Sequence, residues 1–140
     1  MKQNILLDTG PLVASINKKD RFFDWAKNHF ESFKPPLLTS EPVLAESCFL
    51  LRKYPKGLSI IMELLNRKIL DVPFQIESQV KSISSLLKKY SDVPMSLADA
   101  CLVRMSELFD NGTIMTIDTN FTIYRRHGRH IIPILIPSDI

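Results

Sequence analysis

The chain has 140 residues, the length of one globular domain rather than two. Hydrophobic residues make up 45% of the sequence and charged residues 24%, which excludes a disordered tail and a collagen-like fibre. The formal net charge of +3 permits a nucleic-acid partner without requiring one. No apolar run approaches the ~18 residues of a membrane span. The start of the chain lacks a secretory pattern, so we expect a cytoplasmic protein that does not enter a membrane.

Short apolar strands alternate with helices along the chain. In chain order we predict a strand at 5–7, a turn at 8–11 opening a short helix, a helix at 20–33, a strand at 37–39, helices at 43–54 and 57–67, a strand at 69–72, helices at 76–90 and 96–109, a strand at 113–117, and a last strand at 131–136 interrupted by Pro133. This alternation predicts one α/β domain over residues 1–140, with a parallel sheet covered by helices on both faces.

Two cysteines, Cys48 and Cys101, lie in apolar stretches without the spacing of a metal site. We therefore expect buried free thiols, which agrees with a reducing compartment.

Four acidic residues stand where α/β proteins carry their chemistry, beyond the carboxyl ends of the strands. Asp8 and Asp118 directly follow predicted strands, and Glu46 and Asp99 lie near the beginnings of apolar helices. Each also has a structural explanation. Asp8 fits an Asx turn, Asp118 a helix cap, and Asp99 a capping box with Ser96.

Glu46 is harder to explain by structure alone. Its neighbours one helical turn away are Pro42, Val43, Phe49 and Leu50, which offer it no solvated stripe. Taken together, four converging carboxylates would repel one another strongly. A divalent cation relieves that repulsion, and oxygen ligands of this kind suit Mg²⁺ or Mn²⁺.

The same residues carry a family resemblance over essentially the whole chain. Four segments resemble, in order, the acidic motifs of PIN-domain ribonucleases of the VapC toxin type: Ile5-Leu6-Leu7-Asp8-Thr9-Gly10, Leu38-Thr39-Ser40-Glu41-Pro42-Val43-Leu44-Ala45-Glu46, Ser96-Leu97-Ala98-Asp99-Ala100 and Thr116-Ile117-Asp118-Thr119-Asn120-Phe121. The resemblance implies a three-layer α/β/α sandwich and metal-dependent hydrolysis of RNA phosphodiester bonds. In the second motif it selects Glu46 rather than Glu41.

The resemblance also implies roles for particular residues. Asp8, Glu46, Asp99 and Asp118 would be catalytic and hold Mg²⁺ or Mn²⁺, Thr116 would supply a supporting hydroxyl, and Thr9 would contribute its hydroxyl or backbone. Many relatives have a further acid where this chain has Asn120, which leaves open whether one or two ions bind. The implied partners are an RNA substrate (tRNA, rRNA or mRNA), an antitoxin protein and a second copy of the chain in a homodimer.

Two other functions remain open. A phosphotransfer domain also places acids beyond strand ends, but no lysine follows a late strand to pair with phosphate. A non-cleaving PIN-like scaffold would bind RNA or protein without cutting it, and Asn120 in place of the further acid keeps this alternative open. The basic stretch 125–130 would either grip phosphates at the rim of the site or form a solvated loop.

Overall fold

The computed structural model of the protein describes residues 3–140. The strands are β1 (Asn4–Leu7), β2 (Leu37–Leu38), β3 (Leu70–Asp71), β4 (Gly112–Met115), β5 (Arg125–Arg126), β6 (His130–Ile131) and β7 (Ile134–Leu135). The α-helices are α1 (Thr9–Ile16), α2 (Phe23–Ser32), α3 (Glu41–Leu50), α4 (Gly57–Asn66), α5 (Val80–Lys89) and α6 (Leu97–Leu108). Short 3₁₀ helices span Ile76–Gln79 and Thr119–Thr122. None of the helices in residues 3–140 is long and apolar enough to cross a membrane.

The main sheet has five strands in the order β3-β2-β1-β4-β7, and every neighbouring pair is parallel. The chain moves outward from β1 through β2 to β3, and then returns to the other side of β1 for β4 and β7. The strand order therefore reverses between β1 and β4. In open parallel sheets, ligands bind beyond the carboxyl ends of the strands at such a switch point.

Helices cover both faces of this sheet, which makes a three-layer α/β/α arrangement. Along β1 the side chains alternate between two separate cores: Ile5 and Leu7 join one and Leu6 joins the other. Each of the three is buried. A strand covered on both faces needs apolar residues at every position, which explains why β1 has a continuous apolar run. The predicted fold class is confirmed.

The prediction of one strand at 131–136 is wrong. Residues His130–Ile131 form β6, which pairs antiparallel with β5 in a separate hairpin, and Ile134–Leu135 form β7 in the main sheet. Pro133 separates them because it lacks an amide proton for a sheet hydrogen bond. The basic stretch 125–130 is therefore a hairpin rather than a plain loop. Its turn takes His127 and Gly128 to φ angles of 51° and 83°.

Several helix bounds also differ from prediction. Helix α2 begins at Phe23 rather than at residue 20, because the Asp20 side chain and carbonyl accept hydrogen bonds from the amides of Phe22 and Phe23 in a preceding turn. Helix α3 ends at Leu50 rather than at residue 54. The segment predicted as a helix at 76–90 begins as a 3₁₀ helix before α5.

Candidate active site

Asp8 lies at the switch point, directly after β1. The register pairs Leu7 with Met115, and the Asp8 amide donates to the Met115 carbonyl over 3.0 Å, which continues the ladder one residue past the end of β1. Asp8 Oδ1 accepts a hydrogen bond from the Thr9 amide (2.8 Å), and Oδ2 accepts one from Thr116 Oγ1 (2.7 Å). The side chain thus caps α1, and the residue is only 7% exposed.

Thr116 connects two of the acids. Its Oγ1 donates to Asp8 and also accepts a hydrogen bond from the Asp118 amide (2.9 Å), so one buried hydroxyl contacts both segments. Asp118 Oδ1 accepts from the Asn120 amide at 2.9 Å and caps the 3₁₀ helix Thr119–Thr122, as expected from the sequence. Asp118 therefore caps this 3₁₀ helix and is also linked to Asp8 through Thr116.

Asp99 lies in the first turn of α6 and takes the structural role expected from the sequence. Ser96 Oγ accepts from the Asp99 amide (3.0 Å), and Asp99 Oδ2 accepts from the Ser96 amide (3.5 Å), which completes the predicted capping box. The same oxygen accepts a hydrogen bond from the hydroxyl of Tyr124 at 2.8 Å. Asp99 is buried in the fold, although a free aspartate side chain is charged at neutral pH.

Glu46 reaches the same region from α3. Its Oε2 accepts a hydrogen bond from Thr9 Oγ1 at 3.2 Å, and Thr9 immediately follows Asp8. Unlike Asp8 and Asp99, Glu46 is exposed, and so are its helical neighbours Phe49 and Leu50. The expectation that an apolar helix leaves this residue no solvated surface is wrong.

The carboxylates interact electrostatically. Burial raises the pKa of Asp8 from 3.8 to about 6, against the opposing effect of its hydrogen bonds from Thr116 and Thr9. Repulsion by Asp99 and Asp118 raises it further. Burial also raises the pKa of Asp99, with a smaller contribution from Asp118, while the Tyr124 hydroxyl opposes the shift. These mutual effects indicate that the carboxylates of Asp8, Asp99 and Asp118 lie close together.

The chemistry of the donors fits a hard divalent cation. All four acids offer carboxylate oxygens, and the hydrogen bonds found among residues 3–140 use only one oxygen each of Asp99, Asp118 and Glu46. Within the same residues, no three His, Cys, Asp or Glu side chains are already arranged to hold an ion. Side-chain rotation would therefore have to bring the free oxygens together around a cation.

The structure adds one residue that the sequence did not single out. Tyr124 is fully buried and donates its hydroxyl to Asp99. Burial and the neighbouring carboxylates raise the pKa of this tyrosine, so it stays protonated as a hydrogen-bond donor. Its only sequence signal is its position six residues after Asp118, where no pattern links it to Asp99.

The basic hairpin lies toward the other end of α6. The Arg126 guanidinium donates to the Ser106 carbonyl, and the His127 amide donates to Glu107, in the last turns of that helix. Asp99 and Glu107 are separated by eight residues of helix, or about 12 Å. The Arg125 guanidinium is held by three backbone carbonyls. The hairpin tip does not form the immediate rim of the acidic cluster.

A parallel sheet covered on both faces, with carboxylates at the switch point beyond β1 and β4, has the α/β/α architecture of a PIN-like fold. The sequence matches no family model and no curated protein. Among solved structures, the fold is similar to that of Mycobacterium tuberculosis VapC20, a toxin that cleaves the sarcin-ricin loop. The TM-score is 0.76 at 20% sequence identity, over 86% of this chain and 94% of that chain. The resemblance to VapC toxins is confirmed at the level of the fold.

Proposed function

We propose that residues 1–140 form one PIN-like domain that hydrolyses RNA phosphodiester bonds as a metal-dependent endoribonuclease. The observation that carries the proposal is the meeting of Asp8, Asp99 and Asp118 at the switch point, with Thr116 joining two of them. Glu46 extends this set through Thr9. Similarity to the fold of an RNA-cleaving toxin supports the same reaction class.

Asp8, Glu46, Asp99 and Asp118 would hold Mg²⁺ or Mn²⁺ through their carboxylate oxygens. When bound, the ion supplies charge neutralisation at the phosphate and activation of water. Thr116 orients Asp8 by donating to Oδ2, and the Thr9 amide orients the other oxygen. The cap hydrogen bond from Ser96 and the hydroxyl of Tyr124 orient Asp99.

The biological role follows from the same resemblance. We propose that the protein is a cytoplasmic toxin, that an antitoxin protein inhibits it, and that it forms a homodimer. Its substrate would be a tRNA, an rRNA or an mRNA. The sarcin-ricin loop, on which VapC20 acts, belongs in any first panel of substrates.

A cleavage assay tests the proposal. Purified protein is incubated with tRNA, rRNA and mRNA in Mn²⁺, in Mg²⁺ and in EDTA, beside the Asp99→Asn and Asp110→Asn variants. Asp110 is an exposed acid just before the amino end of β4, whereas the four acids lie near the carboxyl ends of the strands. It therefore serves as the matched control. We expect metal-dependent cleavage by the wild type and Asp110→Asn, and at least a 100-fold loss in Asp99→Asn, on the order of the several kcal/mol that a lost metal interaction removes. Equal cleavage by Asp99→Asn would contradict the proposal.

The second candidate is a PIN-like scaffold that binds RNA or protein without cutting it. The open arrangement of the acids among residues 3–140 favours this candidate, since no three of them are yet set to hold an ion. It predicts RNA binding that is unchanged by EDTA and by Glu46→Gln, with no cleavage in any metal.

A further inference from the structure

Tyr124 lies in the segment after β4, and its buried side chain contacts the acid of α6. It is 0% exposed, and its hydroxyl donates to Asp99 Oδ2 over 2.8 Å. We propose that Tyr124 is a positioning residue of the metal centre, which fixes the Asp99 carboxylate so that Oδ1 is available to the cation. This inference rests on the proposed function, because it assigns Tyr124 a role only if Asp99 holds a metal ion.

The ring of Tyr124 is itself held in place. It packs edge-to-face against Tyr90, with ring centroids 5.1 Å apart, and against Phe121, with centroids 5.2 Å apart. The Tyr90 hydroxyl accepts a hydrogen bond from the Arg125 amide at 2.9 Å, which anchors this neighbour to the backbone next to Tyr124. A phenol fixed on two sides presents its hydroxyl at a defined point, so the carboxylate that it contacts is fixed as well.

The same segment carries Asp118. The Tyr124 amide donates to the Asn120 carbonyl (3.2 Å), and the Asn120 amide donates to Asp118 Oδ1 (2.9 Å). Asp99 is therefore tied through Tyr124 to the short turn that orients Asp118. The carboxylates of Asp99 and Asp118 repel each other. The hydrogen bond from the neutral Tyr124 hydroxyl holds Asp99 Oδ2 and so limits how far Asp99 can turn away from Asp118. Outer hydrogen bonds of this kind orient metal ligands in other proteins.

The alternative is that the hydroxyl only satisfies a buried carboxylate and contributes to folding. Tyr124→Phe keeps the ring and its contacts with Tyr90 and Phe121, so we expect it to fold, as thermal denaturation in EDTA will verify. Tyr90→Phe is the matched control because it removes a hydroxyl from the same aromatic cluster without touching a carboxylate. If the Tyr124 hydroxyl has only a structural role, Tyr124→Phe and Tyr90→Phe should bind Mn²⁺ with similar affinity once the folded fraction is taken into account.

Mn²⁺ titration calorimetry on the wild type, Tyr124→Phe and Tyr90→Phe distinguishes these roles. We expect the dissociation constant of Tyr124→Phe to rise about 10-fold, within the range for residues that orient metal ligands, while that of Tyr90→Phe stays within about twofold of the wild type. The Mn²⁺ concentration for half-maximal RNA cleavage should rise by the same factor in Tyr124→Phe, with cleavage recovering at higher Mn²⁺.

Wild-type Mn²⁺ affinity in Tyr124→Phe would overturn the inference and leave the proposed function standing. An equal loss in Tyr90→Phe would also overturn it, because general loosening of the cluster would then suffice. Absence of Mn²⁺ binding and of cleavage in the wild type itself would refute the proposed function, and the role of Tyr124 with it.

Discussion

Replacing Asp8 by asparagine is expected to stabilise the protein in the absence of metal while abolishing the proposed metal-dependent cleavage. Asp8 is buried, and its pKa is about 6 in the fold against 3.8 in a free side chain. A carboxyl whose pKa is raised by folding favours the folded state at pH values below 3.8. That contribution is lost as the pH rises through 6, because the charged form is the one that burial disfavours.

The size of the effect follows from the shift. A rise from 3.8 to about 6 is about 2 pKa units, which corresponds to about 3 kcal/mol at neutral pH as an upper limit. Asparagine can still accept the hydrogen bond from the Thr9 amide, but Thr116 loses its carboxylate acceptor, which costs about 1 kcal/mol. The net gain in unfolding free energy is then about 1–2 kcal/mol, or roughly 3–8 °C in melting temperature.

Thermal denaturation in EDTA at pH 5 and pH 8 measures this gain, with Asp110→Asn as the exposed control. We expect Asp8→Asn to melt above the wild type at pH 8 and the difference to shrink toward pH 5. Added Mn²⁺ should raise the melting temperature of the wild type and leave that of Asp8→Asn unchanged. An Asp8→Asn protein that is less stable than the wild type in EDTA at pH 8 would refute the reasoning.

Two further substitutions test the surroundings of the site. Gly10→Ala places a methyl group 2.7 Å from Ile117 Cδ1 and closer still to Cγ1. We therefore expect urea denaturation to show an unfolding free energy that is lower by about 1–3 kcal/mol. An unchanged urea midpoint would show that the Ile117 side chain can move aside at no cost. Glu46→Gln should reduce metal-dependent cleavage at least 10-fold while Glu41→Gln, on the same helix, leaves it unchanged. A larger loss of cleavage in Glu41→Gln than in Glu46→Gln would mean that the second motif was aligned on the wrong acid.

The fold could be predicted because its signals are local. The apolar run of β1 and the Ser96–Asp99 capping box depend on neighbouring residues, and both occur as expected. The hairpin of β5 and β6 was missed because each strand has two residues and neither is an apolar run. Its turn depends on positive φ angles at His127 and Gly128, and of these two residues only the glycine indicates such a conformation from sequence.

The candidate site was predictable in part for a related reason. Asp8 and Asp118 follow strands, and parallel strands bring their carboxyl ends to one edge, so sequence order indicated their proximity. The exposure of Glu46 was misjudged because apolar neighbours such as Phe49 also remain at the surface, which is common in proteins. Tyr124 contacts Asp99 across 25 residues, through packing that no local pattern encodes.

The most direct test of the account is Mn²⁺ titration calorimetry on wild-type protein and Asp99→Asn, followed at once by RNA cleavage with the same samples. The account predicts that the wild type binds Mn²⁺ and cleaves RNA, and that both activities collapse in Asp99→Asn. If the wild type binds no Mn²⁺, the four acids serve only as caps and turn residues, and the claim of a metal-dependent nuclease is contradicted.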